Sequence, residues 1–253
     1  MKENSFQLNE RIAQFIREKD VKGAIFSHED IVFINQYEGS GGLGKKGASG
    51  EGVLYEFYTP DDIIEQMWKL ANYHGYDGGA VLESSIGTGK MIAGAPNKSN
   101  CVGFEINPIA ARIAQLTYPE ATIYEGYFES AFLQAPRFTS RIKEKLTWLD
   151  AYPFSLVIGN PPYGLYKNKY SSYFPTPKIR QMEIFFMLYG LKLLRKDGLL
   201  VYLTSSNFLR NGDAYNDSKK ELEKIATLVD AYRLPPVFKN TEVPVDILVM
   251  RKK

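Results

Sequence analysis

The stretch Val157-Ile158-Gly159-Asn160-Pro161-Pro162-Tyr163-Gly164 ends a mostly apolar run that begins at Phe154. Such a run reads as a buried strand. Two consecutive prolines donate nothing to a sheet ladder and fix φ near −65°, so a stiff turn follows the strand. That stiffness aims the Asn160 side chain and the Pro161 carbonyl in fixed directions, with Pro162 bracing the turn and Tyr163 adding a flat aromatic face. Two convergent acceptors beside a ring suit a planar group that bears an NH2, such as an exocyclic amine on adenine or a carboxamide. An ordinary proline-rich turn capped by a packed tyrosine is the competing reading.

Working outward, composition removes several classes of function. The chain has 253 residues, enough for one large α/β domain or two small ones. At 44% hydrophobic and 24% charged it is ordinary for a soluble globular protein. No apolar run approaches the roughly 18 to 20 residues a bilayer span needs, and the N-terminal residues lack the pattern of a signal peptide. Cys101 is the only cysteine, which excludes an internal disulfide and any multi-cysteine zinc site and agrees with a reducing cytoplasm. The two histidines, His28 and His74, are isolated, so no metal site is expected. A net charge of +2 is compatible with nucleic acid without requiring it.

Upstream, Ala80-Val81-Leu82-Glu83-Ser84-Ser85-Ile86-Gly87-Thr88-Gly89-Lys90 reads as a short strand, a glycine turn and a helical stretch. Glycines at such a turn let a ligand approach the backbone, and the helix start offers free N–H groups. A P-loop would need glycine at Ser84 and Ser or Thr at Met91, so that reading fails. A dinucleotide fingerprint fails at Ile92, where its third glycine would stand. Next comes Cys101-Val102-Gly103-Phe104-Glu105-Ile106, a second strand ending in an acid. A carboxylate at that place accepts ribose hydroxyls in nucleotide-binding sheets. Ala121 to Ser130 holds a third strand and its loop, with Tyr127 and Phe128 in the loop.

The remaining chain supplies flanks. Asn9 to Glu18 has helical spacing, and Gly39 to Gly52 is a glycine-rich linker or lid. Before the first strand, Tyr58-Thr59-Pro60 opens a helix, with Thr59 as cap and Pro60 at the first helical position. Phe138 to Leu149 has a helical look. Leu165 to Arg180 mixes Lys167, Lys169, Lys178 and Arg180 with Tyr166, Tyr170, Tyr173 and Phe174, which suits a loop touching phosphates and bases. Gln181 to Leu194 is an apolar helix stopped by Lys196-Asp197-Gly198, and Leu199 to Thr204 is another buried strand. A helix over Asn216 to Leu228 and a closing strand at Val245 to Met250 complete the pattern, with Phe238 between them.

In this order the motifs resemble those of the S-adenosylmethionine-dependent DNA adenine-N6 methyltransferases, gamma class, over roughly residues 52 to 250. The resemblance implies an α/β fold: a doubly wound, mostly parallel seven-stranded sheet of the class I, Rossmann-like kind. It implies a division into an N-terminal extension with linker, 1–52, and a catalytic domain, 53–253. It further implies catalysis by Asn160, Pro161, Pro162 and Tyr163, with Phe238 facing the tyrosine across a flipped adenine. The cofactor is expected to touch Tyr58, Thr59, Pro60, Glu83, Ser84, Gly87, Gly89, Glu105, Ile106, Phe128 and Asn160. Glu83 is assigned to the amino group of its methionine end and Phe128 to its adenine ring. Related enzymes carry aspartate where this chain has Tyr127, and Glu125 or Glu129 is the substitute acceptor.

The chain shows no evident target-recognition domain, so the expected partners are DNA and a recognition domain or subunit outside it. A modification or defence system, or a mobile element, is the expected context. A protein-glutamine methyltransferase uses a similar Asn-Pro-Pro-Tyr turn on a carboxamide, but the Tyr-Thr-Pro segment and the basic-aromatic loop speak against it. A non-catalytic binding subunit is disfavoured by the intact Asn160, Pro161 and Tyr163.

Overall fold

The computed structural model describes residues 5–39, 57–133, 153–166, 170, 174, 179–210, 213–238 and 244–253. The glycine-rich linker beyond Gly39, the helical stretch Phe138 to Leu149, and Lys167, Lys169, Tyr173 and Lys178 lie outside them. Seven strands form one sheet: β1 (Ala80–Glu83), β2 (Cys101–Glu105), β3 (Thr122–Glu125), β4 (Phe154–Gly159), β5 (Leu194–Ser205), β6 (Ala226–Leu234) and β7 (Val245–Lys252). Their spatial order is β3-β2-β1-β4-β5-β7-β6. The first five pair in parallel, and β7 runs antiparallel between β5 and β6. The expected doubly wound sheet is present.

Helices cover both faces, so β4 is buried at every residue, as a central parallel strand must be. Leu156 and Ile158 face one side, together with Val201 and Leu203 of β5 and with Ile63, Met67 and Trp68 of α3 (Asp61–Tyr73). Val157, Leu200 and Tyr202 face the other, against Phe185, Phe186 and Leu191 of α5 (Met182–Leu193). A third cluster joins α1 (Ser5–Val21), α2 (His28–Ile34) and α4 (Pro108–Thr117) through Ile12, Ile16, Ile34 and Ile113. The last helix, α6 (Asp213–Ile225), leads into the β6–β7 hairpin. No described helix is long and apolar enough to cross a membrane.

Several local expectations change. Pro60 has an extended ψ of 149° and stands before the first helical residue of α3, and among the described residues no side chain caps that end. Thr59 is therefore buried without capping. Lys196-Asp197-Gly198 does not stop a helix. It forms a bulge inside β5, where the pairing with β4 slips between Phe154 and Leu156 and Asp197 takes a φ of 62°. A bulge absorbs the same turn-forming residues that would end a helix. β6 begins at Ala226, so α6 ends earlier than its acid–base pattern suggests. The α2 helix is set by a capping box: Ser27 accepts from the Asp30 amide while the Asp30 carboxylate takes the Ser27 amide.

Gly94 sits beneath Trp68, whose indole N–H donates to the Met91 carbonyl at 2.9 Å. A Cβ on Gly94 would stand 2.1 Å from Trp68 Cδ1. Gly94→Ala is therefore expected to cost about 1–3 kcal/mol through forced repacking. A urea titration reads this as a lower midpoint at unchanged slope.

Candidate active site

In an open α/β sheet, ligands bind outside the carboxyl ends of the strands, where the strand order reverses. Here β1 leads outward to β2 and β3, and the chain then crosses to β4 on the other side of β1. The switch point is the crevice between the ends of β1 and β4. Glu83 ends β1 and Asn160 follows β4, so the topology brings the glycine turn and the Asn-Pro-Pro-Tyr turn side by side. Ser85 Oγ donates to the Asn160 carbonyl at 3.1 Å. A Cβ on Gly159 would lie 3.1 Å from Glu83 Cγ, so glycine there is what lets the carboxylate pass across the strand end.

Glu83 is 7% exposed, and among the described residues its Oε2 has no hydrogen-bond partner. Burial, with Glu105 nearby, holds its carboxyl well above the usual carboxylate range. Beyond it, Gly87 and Gly89 adopt φ of 56° and 85°, a region where only glycine is unstrained. A Cβ on Gly87 would meet the Tyr58 ring at 3.0 Å. Glu105 reaches back to this turn: its Oε2 accepts from the Gly87 amide at 2.8 Å and its Oε1 from the Asn107 amide at 2.7 Å. The helical stretch after the glycines is a single short 3-10 segment, Lys90–Gly94. Ser84 is buried and shares a 2.8 Å hydrogen bond with the Tyr202 hydroxyl.

On the other lip, the Asn160 amide is held at both ends. Its Nδ2 donates to the Phe57 carbonyl at 3.0 Å, and its Oδ1 accepts from the Tyr163 hydroxyl at 2.5 Å. The first bond ties the Tyr58-Thr59-Pro60 segment to the turn after β4. The second uses one of the two lone pairs of the acceptor expected to take a target amine. Tyr163 is half-buried and shares an apolar cluster with Phe238, whose ring lies 5.2 Å from that of Phe57. Burial and the nearby Glu183 push the Tyr163 hydroxyl well above its usual range, so it stays a donor.

Three sequence-level assignments take a different form. Phe128 is 2% exposed, stacked on Phe186 at 5.4 Å and edged by Phe104 and Phe132, so its ring is a core element with its faces already covered. Tyr127, where the resemblance leads one to expect an acceptor, is buried edge-on to Tyr170 at 5.0 Å. Tyr166, Tyr170 and Phe174 of the basic-aromatic loop are buried as well, with Tyr166 stacked on Phe185 at 4.7 Å. They serve the core and offer no stacking platform. Ile106, by contrast, is only partly buried beside Glu105.

Glu183 went unnoticed in the sequence. It is 1% exposed and accepts from the Gly164 amide at 3.3 Å and the Tyr215 hydroxyl at 2.9 Å, bracing the turn from below. A lone carboxylate in the apolar run Met182–Leu193 was the available signal. Cys101 is free and buried, its thiol pushed up to about 11 by burial, which fits packing better than nucleophilic work. Among the described residues no group of three His, Cys, Asp or Glu converges to hold a metal ion.

Comparison with known proteins bears on the fold and the family. The curated "Defense against restriction protein B" of Escherichia phage P1 is 28% identical over 235 residues, which are 92% of this chain and 9% of that protein. The chain thus spans a small fraction of this relative's length. A class I S-adenosylmethionine-dependent methyltransferase structure from Listeria monocytogenes superposes with a TM-score of 0.64 at 14% identity, covering 98% of this chain and 86% of that one. The methyltransferase subunit of a type I restriction-modification system from Streptococcus thermophilus gives 0.62 at 19% identity, covering 88% of this chain and 48% of that one. At such identities the structures speak for the fold, which is the class I methyltransferase fold. The family model described as Eco57I restriction-modification methylase matches residues 99–238, more than half of the sequence, and the chain belongs to that family.

Proposed function

We propose that this chain is the catalytic unit of an S-adenosylmethionine-dependent methyltransferase that modifies the N6 amine of adenine in DNA, within a modification, defence or mobile-element system. The observation that supports it most is the shared crevice, where a buried carboxylate with an unpartnered oxygen lies beside a rigid turn bearing an amide acceptor. Glu83 Oε2 fits a bound ammonium, Glu105 fits a ribose diol, and the bare glycine turn fits a close-lying backbone contact. Glu83, Gly87, Gly89, Glu105 and Ile106 would hold the cofactor, with Tyr58 walling it. When bound, the cofactor supplies an electrophilic methyl group on sulfonium sulfur.

The chain's own residues then act on the target. Adenine must leave the duplex, at a cost of a few kcal/mol, and the Tyr163 ring offsets that by stacking. Asn160 Oδ1 and the Pro161 carbonyl accept the two amine hydrogens. That draws nitrogen from planar towards tetrahedral and frees its lone pair, so that the N–C bond would form as the C–S bond breaks and the extra proton on nitrogen would then pass to solvent. The same acceptors stabilise the positive charge that develops on nitrogen, and the stiff turn supplies orientation. Asn160 Oδ1 has two lone pairs, so it can keep the Tyr163 hydroxyl while it accepts an amine hydrogen. Sequence selection is assigned to a recognition unit outside this chain.

The test is transfer of tritium from labelled S-adenosylmethionine to unmethylated genomic DNA, with nucleoside digestion and Asn160→Ala as control. Label in the N6-methyl deoxyadenosine peak, absent in the variant, is the expected result. Label on protein glutamine instead, or cofactor binding with no transfer to any DNA in the presence of a recognition partner, would remove the adenine assignment.

A further inference from the structure

The N-terminal helices, which the sequence suggests are an extension before the catalytic domain, pack on α4, the helix that follows the β2 end of the candidate site. Apart from the α1–α2–α4 apolar cluster, Arg112 of α4 grips Asp20 with two hydrogen bonds, of 3.0 and 2.6 Å. Asn35 donates to Thr117 at 3.1 Å. Beyond α2 the chain is pinned back on α1, where Asn9 Oδ1 takes the Glu38 amide at 3.0 Å and its Nδ2 gives to the Glu38 carbonyl at 2.5 Å. These contacts fix Tyr37, the residue before Glu38.

Tyr37 faces the expected nucleoside end of the site. Its hydroxyl accepts from Asn107 Nδ2 at 3.2 Å, and its ring centroid is 6.3 Å from that of Tyr58. Asn107 also caps α4 through Oδ1, bonded to the Ile109 amide at 2.9 Å, and gives its own amide to Glu105 Oε1. Glu105 continues to Gly87, and Gly87 lies under Tyr58. The contacts therefore close a ring, Tyr37–Asn107–Glu105–Gly87–Tyr58, around the carboxylate assigned to the ribose.

We infer that Tyr37 is a further positioning residue of this site, acting on an adenosine-type ligand in two ways: through Asn107 it holds Glu105, and with Tyr58 it walls the nucleoside. The inference rests on the cofactor reading above. It makes the N-terminal helices part of the binding site, so the catalytic domain would not bind normally without them.

Calorimetric titration of the full chain with S-adenosylhomocysteine and with 5′-methylthioadenosine, which lacks the amino-acid end, tests this. Tyr37→Ala is expected to weaken both ligands by the same factor, about tenfold, since it removes a hydrogen bond and an aromatic wall together. Tyr37→Phe keeps the wall and should recover most of the affinity, with a loss of only about threefold. In contrast, Glu83→Gln should weaken the homocysteine-bearing ligand alone. As a spectroscopic check, the indole introduced by Tyr37→Trp should change its emission when either ligand is added. Wild-type affinity in Tyr37→Ala, with its melting temperature unchanged, would overturn the inference and leave the cofactor reading intact. No binding of either ligand by the wild type would overturn the cofactor reading, and the inference with it.

Discussion

Asn160→Ala is expected to reduce the rate constant for methyl transfer by about a hundred- to a thousandfold, the usual loss when one charge-stabilising hydrogen-bond partner is removed from a reacting centre. The side chain is small, yet it joins three parts of the site. It presents the acceptor, it holds the Tyr163 hydroxyl, and it ties Phe57 to the turn. Alanine leaves the Phe57 carbonyl and the Tyr163 hydroxyl to find other partners, at about 1–3 kcal/mol of stability if they stay buried. Single-turnover kinetics alongside melting temperature separates the two effects.

Asn160→Asp divides them further. It keeps an acceptor for the amine and, like alanine, loses the donor to Phe57, so the rate should fall less than in Asn160→Ala while the Phe57 tie is lost in both. Tyr163→Phe should keep kcat within a few fold, because the ring remains and Asn160 Oδ1 is released from its 2.5 Å internal bond. Tyr163→Ala removes the stacking face, worth about 1–3 kcal/mol per base, and should appear mainly in KM. A large kcat loss in Tyr163→Phe would mean that the hydroxyl itself takes part in the reaction.

The strands at the centre of the fold were readable because burial on both faces leaves a continuous apolar run, and β4 has one. The two turns that carry the site were readable too, since each breaks a rule of regular structure: positive φ at Gly87 and Gly89, and two prolines after Gly159. Once those turns were placed, the switch point of a doubly wound sheet brought them together. What escaped reading depends on partners far apart in sequence. Tyr37 meets Asn107 across 70 positions, and although Asn107 before Pro108 is a legible helix cap, nothing local marks its pairing with Tyr37. Tyr166, Tyr170 and Phe174 looked like base-stacking residues because composition does not separate an exposed ring from one packed on Phe185. Lys196-Asp197-Gly198 is turn chemistry in either setting, and only the pairing of β5 with β4 shows that the turn is a bulge.

Glu83→Gln is expected to weaken S-adenosylmethionine by about ten- to a hundredfold, the range for losing one charge-assisted hydrogen bond of roughly 1.5–3 kcal/mol. The pH dependence carries the sharper test. Burial and Glu105 raise the Glu83 pKa, so the folded protein binds a proton there more tightly than the unfolded chain does. Its contribution to stability is fully present below the unfolded value, about 4.3, and is lost as pH rises towards the folded value. Glutamine does not titrate. Glu83→Gln should therefore match wild-type stability near pH 4 and exceed it at pH 8, with the gap widening between. Binding has the opposite sign. The cofactor's ammonium favours the carboxylate, so wild-type binding releases a proton and affinity climbs with pH by up to about tenfold per unit. The climb ends where Glu83 ionises unaided, or near pH 8, where an α-amino group loses its own proton. Calorimetry in two buffers of different ionisation enthalpy should detect that proton in the wild type and not in Glu83→Gln. A pH-independent affinity in the wild type would place the ammonium elsewhere, and the buried oxygen of Glu83 would then need another partner.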